Sequence, residues 1–276
     1  FQNLAGFCER HTDFQDELVV LFEREIQFYA AYLDYIRPLK DTGLGFCYPQ
    51  LVTSPQPSPE RFLFQKDAFD LALAKKLGLY GQAVITNEFY LSGPERILVV
   101  NGPNQGGKTT FARAFGQAHY LGNLGCPVPG TQARLLFYDQ IFTHFEKEEQ
   151  LEDHRGKLYD DLARVHEIVN RLTPQSLFIL NEIFNSTTVL DALELARRVF
   201  DRISEVDAVG VCVTFLDELA DFNEKTVSMM STVNPEDPAS RTFKVIRKPA
   251  DGLAFALAIA EKYNLTYNKI LARLPS

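Results

Sequence analysis

The chain has 276 residues, 46% hydrophobic and 12% aromatic, which excludes a disordered segment and allows one large domain with a smaller attachment. Its formal net charge of -8 excludes a nucleic-acid binder that works by bulk charge alone, so any such contact is local or lies outside this segment. The four cysteines, Cys8, Cys47, Cys126 and Cys212, form no C-x-x-C pair, which points to idle thiols in a reducing, cytoplasmic (intracellular) setting rather than a disulfide frame or zinc site. No apolar run is long enough for a membrane span, so no membrane partner is expected, and no signal-peptide pattern is present. The sequence opens at Phe1 inside what reads as structured chain, so a piece of a longer protein is expected.

The first predicted element is a helix over Phe14 to Ile36. Phe22, Ile26, Tyr29, Leu33 and Ile36 step by fours and threes, a seam that needs a partner, and Pro38 is expected to stop it. Residues 1–50 form a helical connector in this reading, and 51–276 the main domain. A turn follows over Asp41 to Pro49, then an extended surface loop over Thr53 to Pro59, where proline alternates with polar residues. Asp67 to Leu77 reads as a helix ended by Gly78, and Val84 to Leu91 as a strand.

Next comes Ile97-Leu98-Val99-Val100, a buried strand by its β-branched apolar run, followed by Asn101-Gly102-Pro103-Asn104-Gln105-Gly106-Gly107-Lys108-Thr109-Thr110 and the start of a helix at Phe111. This fits G-x-x-x-x-G-K-[ST] in its strand–loop–helix context. The glycines let backbone N–H groups converge on an anion, and the helix start adds its positive end. Lys108 is placed to reach the β- and γ-phosphates of a nucleotide, and the Thr109 hydroxyl to ligate Mg²⁺.

Beyond the loop, strands over Leu135 to Tyr138, Leu177 to Leu180 and Val209 to Phe215 alternate with helices over Lys157 to Leu172 and Val189 to Ile203. That is the pattern of an α/β doubly wound sheet. Thr226 to Met230 and Thr242 to Ile246 read as edge strands, and Gly252 to Lys262 and Tyr267 to Arg273 as closing helices. The charged run Glu146 to Arg155 reads as a solvated loop. The strand ending in Asn181-Glu182 has the Walker B form, with Asn181 where an aspartate normally holds the Mg²⁺ water shell. Glu182 is placed as the base that activates water. The five histidines show no metal-ligand spacing.

Together these pieces resemble the ATPase domain of the MutS family. Gly102-Pro103-Asn104-Gln105-Gly106-Gly107-Lys108-Thr109 is similar to that family's G-P-N-M-G-G-K-[ST]. Asn87-Glu88 resembles its P-N-D segment, and Tyr138-Asp139-Gln140-Ile141-Phe142-Thr143 its I-D-R-I-F-T-R. Asn181-Glu182-Ile183 through Asp191 resembles D-E-I-G-R-G-T-S-T-x-D-G, and Val213 to Leu219 resembles A-T-H-Y-x-E-L. The resemblance implies a P-loop NTPase (ABC-type) fold, ATP and Mg²⁺ as cofactors, and Phe14 to Ile36 as a lever helix. Gly102, Pro103, Asn104, Gly106, Gly107, Lys108, Thr109 and Thr110 would hold the nucleotide, with Thr109 and Asn181 on the metal side. Lys108 and Glu182 would be catalytic. Thr187, Thr188 and Asp191 match the signature that reaches the nucleotide of a partner subunit, which implies a homodimer or paralogous heterodimer. DNA would be bound through regions outside this chain.

Three positions depart from the family pattern. Asn181 stands for Asp, Phe184-Asn185-Ser186 for Gly-Arg-Gly, and Phe215 for the switch His. Slow hydrolysis is expected from these changes. An alternative is a non-hydrolysing, nucleotide-gated dimerisation or scaffold module. A third reading, another ABC-type head, lacks the Leu-Ser-Gly-Gly-like signature.

Overall fold

The computed structural model describes residues 2–10, 16–53, 61–145, 156–234, 236–237, 240–250, 265–267 and 270. The chain divides into two compact units, Phe1–Leu44 and Gly45–Ser276. The loop expected over Thr53 to Pro59 (all but Thr53), the charged run Glu146 to Arg155 and the helix expected over Gly252 to Lys262 lie outside the described residues. So does most of the helix expected over Tyr267 to Arg273.

The first unit holds two helices, α1 (Gln2–Arg10) and α2 (Glu17–Asp41). The expected helix start at Phe14 lies outside the described residues; α2 itself is capped by Asp16, whose carboxylate accepts from the Leu18 N–H at 2.8 Å. Pro38 does not stop this helix, contrary to expectation. A proline removes one donor, but the last turn is closed by other groups. The Thr42 hydroxyl donates to the Leu39 carbonyl at 2.7 Å, and the Gly43 N–H to Lys40 at 2.9 Å. Of the predicted seam, only Ile36 is buried, in a set with Tyr32 and Leu39, while Phe22, Ile26, Tyr29 and Leu33 remain exposed.

The second unit is mixed α/β. Its strands are β1 (Phe46–Cys47), β2 (Gln50–Val52), β3 (Arg61–Ala68), β4 (Asn87–Ser92), β5 (Ile97–Asn101), β6 (Val128–Pro129), β7 (Gln132–Leu136), β8 (Ile141–His144), β9 (Leu177–Asn181), β10 (Val209–Val213), β11 (Thr226–Val233) and β12 (Arg241–Arg247). The helices are α3 (Leu71–Leu79), α4 (Lys108–Asn123), α5 (Lys157–Arg171) and α6 (Val189–Val206). The main sheet has the order β12-β11-β5-β10-β9-β8; all neighbours are parallel except β12, which is antiparallel to β11. A second sheet has the order β2-β7-β3-β4, and β1 pairs with β6.

The buried strands β5, β9 and β10 read as unbroken apolar runs because helices cover both faces. Residues of α5 and α6, among them Val165, Ala196, Phe200 and Ile203, pack with Phe178, Leu180 and Cys212 into one core, and α4 meets β9 and β10. Gly210 is needed here, since a Cβ on it would lie 2.3 Å from the Phe178 carbonyl oxygen. Two expectations are corrected. Thr226 to Met230 is not an edge but an inner strand between β12 and β5. The helix expected from Asp67 starts at Leu71, because residues 61–68 are a strand and Asp70 is the cap. The Asp70 carboxylate accepts from the Leu73 N–H at 2.8 Å and pairs with Arg113 of α4 at 2.7 Å, so it also fixes the helix that follows the glycine loop.

Candidate functional site

The main sheet brings the carboxyl ends of β5, β10 and β9 side by side, the place where open α/β sheets bind ligands. The glycine loop, residues 102–107, leaves β5 there and enters α4. Its backbone carries positive φ at Gly102 (113°), Gln105 (59°) and Gly107 (91°). Gly107 is also the N-cap of α4 and supplies no side-chain cap, so the helix start is left to other acceptors. Gly102 and Gly106 both face Ser231 on β11; a Cβ on either would lie 2.5 Å from the Ser231 hydroxyl. That hydroxyl is buried and has no hydrogen-bond partner among the described residues. Pro103 opens a tight turn, its carbonyl accepting from the Gly106 N–H at 3.2 Å.

Lys108 curls back over the loop. Its Nζ donates to the Gly102 carbonyl at 2.8 Å, and to the Pro103 carbonyl and the Asn104 Oδ1 at 3.3 Å each. Burial pushes its pKa down, the Glu182 carboxylate acts in the opposite sense, and the Arg241 guanidinium pushes it down again. Thr109 and Asn181, far apart in sequence, meet directly: the Thr109 hydroxyl donates to the Asn181 Oδ1 at 3.0 Å. Thr110 instead lines a small cleft with Phe69, Asn87 and Phe89.

Glu182 follows β9 in a left-handed conformation, φ 54°, with its N–H on the Val213 carbonyl at 2.8 Å. Phe184 is left-handed too, φ 61°, and its ring is buried in the core with α6. The turn therefore keeps a backbone form suited to glycine although a phenylalanine occupies it. A bulky residue in this region costs about 1–2 kcal/mol, and burying the ring returns about 1.5–3 kcal/mol. Thr187, Thr188 and Asp191 form the N-terminal cap of α6. The Asp191 N–H donates to the Thr188 hydroxyl at 3.2 Å, which donates to the Asp191 carboxylate at 2.8 Å. Thr187 reaches the same carboxylate at 3.5 Å. Among the described residues, no hydrogen bond joins this cap to residues 102–109. Phe215, 46% exposed, follows β10 between the glycine loop and Glu182 in the strand order.

Several residues at the site carry no local sequence signal. Asn101 is fully buried and donates to the Asp217 carboxylate at 2.6 Å. Ser231 and Arg241 come from strands whose apolar pattern alone is readable. Arg241 Nε donates to the Asn104 carbonyl at 3.2 Å. Asn87, noticed in the sequence for its place before the loop strand, braces β12 through Phe243 and Val245. No group of His, Cys, Asp and Glu suited to a metal ion occurs among the described residues, and no helix among them is long and apolar enough to cross a membrane.

Comparison with known proteins follows the same residues. The family model for MutS domain V matches residues 98–272, from the loop strand onward. The chain is 27% identical over 263 residues to the DNA mismatch repair protein MutS of Halalkalibacterium halodurans, covering 89% of this chain and 30% of that protein. For the DNA mismatch repair protein MutS of Petrotoga mobilis the identity is 28% over 170 residues, 61% of this chain and 20% of that protein. For that of Geobacillus kaustophilus it is 26% over 237 residues, 82% and 26%. The chain thus spans less than a third of the length of these curated relatives. With a family model that covers the glycine loop, the Asn181–Glu182 strand end and the α6 cap, this chain belongs to the MutS family, by its domain V.

Proposed function

We propose that this domain is a P-loop NTPase module that binds ATP with Mg²⁺ and hydrolyses it slowly, so that nucleotide state biases DNA binding elsewhere in a dimer. The observation that carries the reading is the Thr109–Asn181 hydrogen bond beside a loop with three left-handed residues. Two uncharged oxygens meet where the loop, the α4 N-terminus and Lys108 converge, which fits a hydrated Mg²⁺ next to a polyphosphate.

ATP and Mg²⁺ would supply the anhydride bond and the neutralisation of its charge. Lys108, with backbone N–H groups of Gly107 and Thr109, would hold the phosphates, and Asn104 would orient Lys108. Thr109 would ligate the metal directly, and Asn181 would accept a hydrogen bond from a metal-bound water. Glu182, held next to Asn181 by the β10 carbonyl of Val213, would take the proton of the attacking water. Thr187, Thr188 and Asp191 would serve the nucleotide of a second subunit, homologous or identical. DNA contacts would come from the rest of a longer protein, in an intracellular setting.

Steady-state ATP hydrolysis, with and without DNA, tests this. Wild type should turn over, Glu182→Gln should bind ATP without turnover, and Lys108→Ala should lose binding. A folded wild type that shows no Mg·ATP binding by calorimetry sinks the reading. The alternative, a non-hydrolysing nucleotide-gated dimerisation or scaffold module, is favoured by the neutral Asn181 and by the apolar Phe215. It requires ATP-dependent association with no turnover above that of Glu182→Gln.

A further inference from the structure

The glycine loop is overlain by a strand that the nucleotide motifs do not include. β12 approaches from the far edge of the sheet, and its first residues lie on the loop. A Cβ on Gly107 would sit 3.7 Å from the Phe243 Cα. Phe243 itself is left-handed, φ 58°. The strand is held there by Asn87, whose amide donates to the Phe243 carbonyl at 3.2 Å and whose Oδ1 accepts from the Val245 N–H at 2.7 Å. Lys244 Nζ adds a bond to the Thr86 carbonyl. This mounting delivers the half-buried Arg241 to the outer rim of the loop, where its Nε donates to the Asn104 carbonyl.

We propose that Arg241 is a second phosphate-binding cation of the nucleotide site, one that leaves the Asn104 carbonyl for the terminal phosphate of a bound nucleoside triphosphate. The proposal rests on the nucleotide-binding reading above. Two observations carry it. Lys108 and Arg241 both donate to carbonyls of one loop, Lys108 to Gly102 and Pro103 and Arg241 to Asn104. A neutral carbonyl is a weaker acceptor for a cation than a phosphate oxygen, so an anion arriving at the loop competes for both. Second, the strand that carries Arg241 is fixed against the loop: the Phe243 backbone lies beside Gly107, and Asn87 and Lys244 tie the strand down on its other side. A polyphosphate at the loop offers both cations a charged acceptor in place of those carbonyls. The planar guanidinium can take two phosphate oxygens at once, which an ammonium cannot.

The test uses the whole chain and calorimetric titration with Mg·ATP, Mg·ADP and inorganic tripolyphosphate, at two salt concentrations, for wild type, Arg241→Gln, Arg241→Lys and Lys108→Ala. Circular dichroism and melting confirm that each variant is folded. Arg241→Gln is expected to weaken Mg·ATP and tripolyphosphate by about tenfold or more, and Mg·ADP by less than about threefold. It should also flatten the salt dependence of ATP binding, and Arg241→Lys should recover part of both. Lys108→Ala should lose ATP and ADP alike. The proposal is overturned if Arg241→Gln binds ATP as wild type does. It is equally overturned if ATP and ADP weaken by one factor with unchanged salt dependence, because that marks a structural tie to Asn104. A wild type that binds none of the three ligands instead overturns the nucleotide reading itself, and this proposal with it.

Discussion

Asn181 is an uncharged acceptor fixed by Thr109 at the mouth of the loop. A carboxylate there would add a full charge to the metal side without lengthening the side chain. Asn181→Asp is therefore expected to lower the Mg²⁺ concentration needed for half-maximal ATP binding by about tenfold, since hard cations gain most from anionic oxygen. An unchanged Mg²⁺ titration removes Asn181 from the metal side. A second residue-scale consequence lies at His119, buried on α4 among Phe89 and Phe115. Its Nδ1 lies 2.9 Å from the Phe115 carbonyl, which makes Nδ1 the protonated nitrogen of a neutral ring. Burial pushes its pKa down to about 4, with the Phe115 carbonyl acting in the opposite sense. The unfolded chain then takes up a proton near pH 6.5 that the folded chain refuses until about pH 4. Stability is full above that window and falls as pH drops through it, by roughly 3 kcal/mol in all. Denaturant melts of His119→Leu against wild type should show this part of the acid dependence gone. Parallel pH curves for the two proteins contradict it.

At the scale of elements, the turn between β9 and α6 makes the sharpest demand. Phe184 combines a left-handed backbone with a fully buried ring. Removing the ring costs about 3–5 kcal/mol, as for other core phenylalanines. A glycine in its place recovers about 1–2 kcal/mol of backbone strain that an alanine keeps. Phe184→Gly should therefore be the more stable of the two truncations, an inversion of the usual order, read from chemical denaturation midpoints. If Phe184→Ala is the more stable, the turn is not strained. The family resemblance marks this segment as deviant, yet only the fold shows that the deviation places a ring in the core on a left-handed backbone. Legibility elsewhere follows the same logic. β5, β9 and β10 were readable because strands covered on both faces are unbroken apolar runs. β3 was not, because Phe62, Leu63 and Gln65 are all buried, which breaks alternation, and because a bulge near Asp67 ends it irregularly. β8 escaped because four residues, Ile141 to His144, give too short a pattern. The inner position of β11 could not be read because its neighbours, β5 and β12, are set by the order of strands in the sheet and not by its own residues. Within the site, the loop and Glu182 announce themselves by spacing, whereas Ser231 and Arg241 arrive through strand order.

On the scale of the whole molecule, every candidate site residue, from Asn87 to Arg241, belongs to the unit Gly45–Ser276. A ligand that binds only the folded form stabilises the cooperative unit that contains its contacts. Saturating Mg·ATP at about a hundred times its Kd should add about 2.7 kcal/mol to that unit, a rise in Tm of roughly 5–10 °C for a domain of this size. The residues of Phe1–Leu44 contribute none of the named contacts, so a chain beginning at Gly45 should show the same rise, and Lys108→Ala should show none in either length. Scanning calorimetry on the two lengths, with and without Mg·ATP, measures it. Equal shifts mean that the nucleotide free energy is confined to the second unit and reaches other parts of a longer protein through changes in that unit's surface. A smaller shift in the shorter chain means that the α2 unit shares in the liganded state, and the nucleotide is then coupled to α2 within this chain itself.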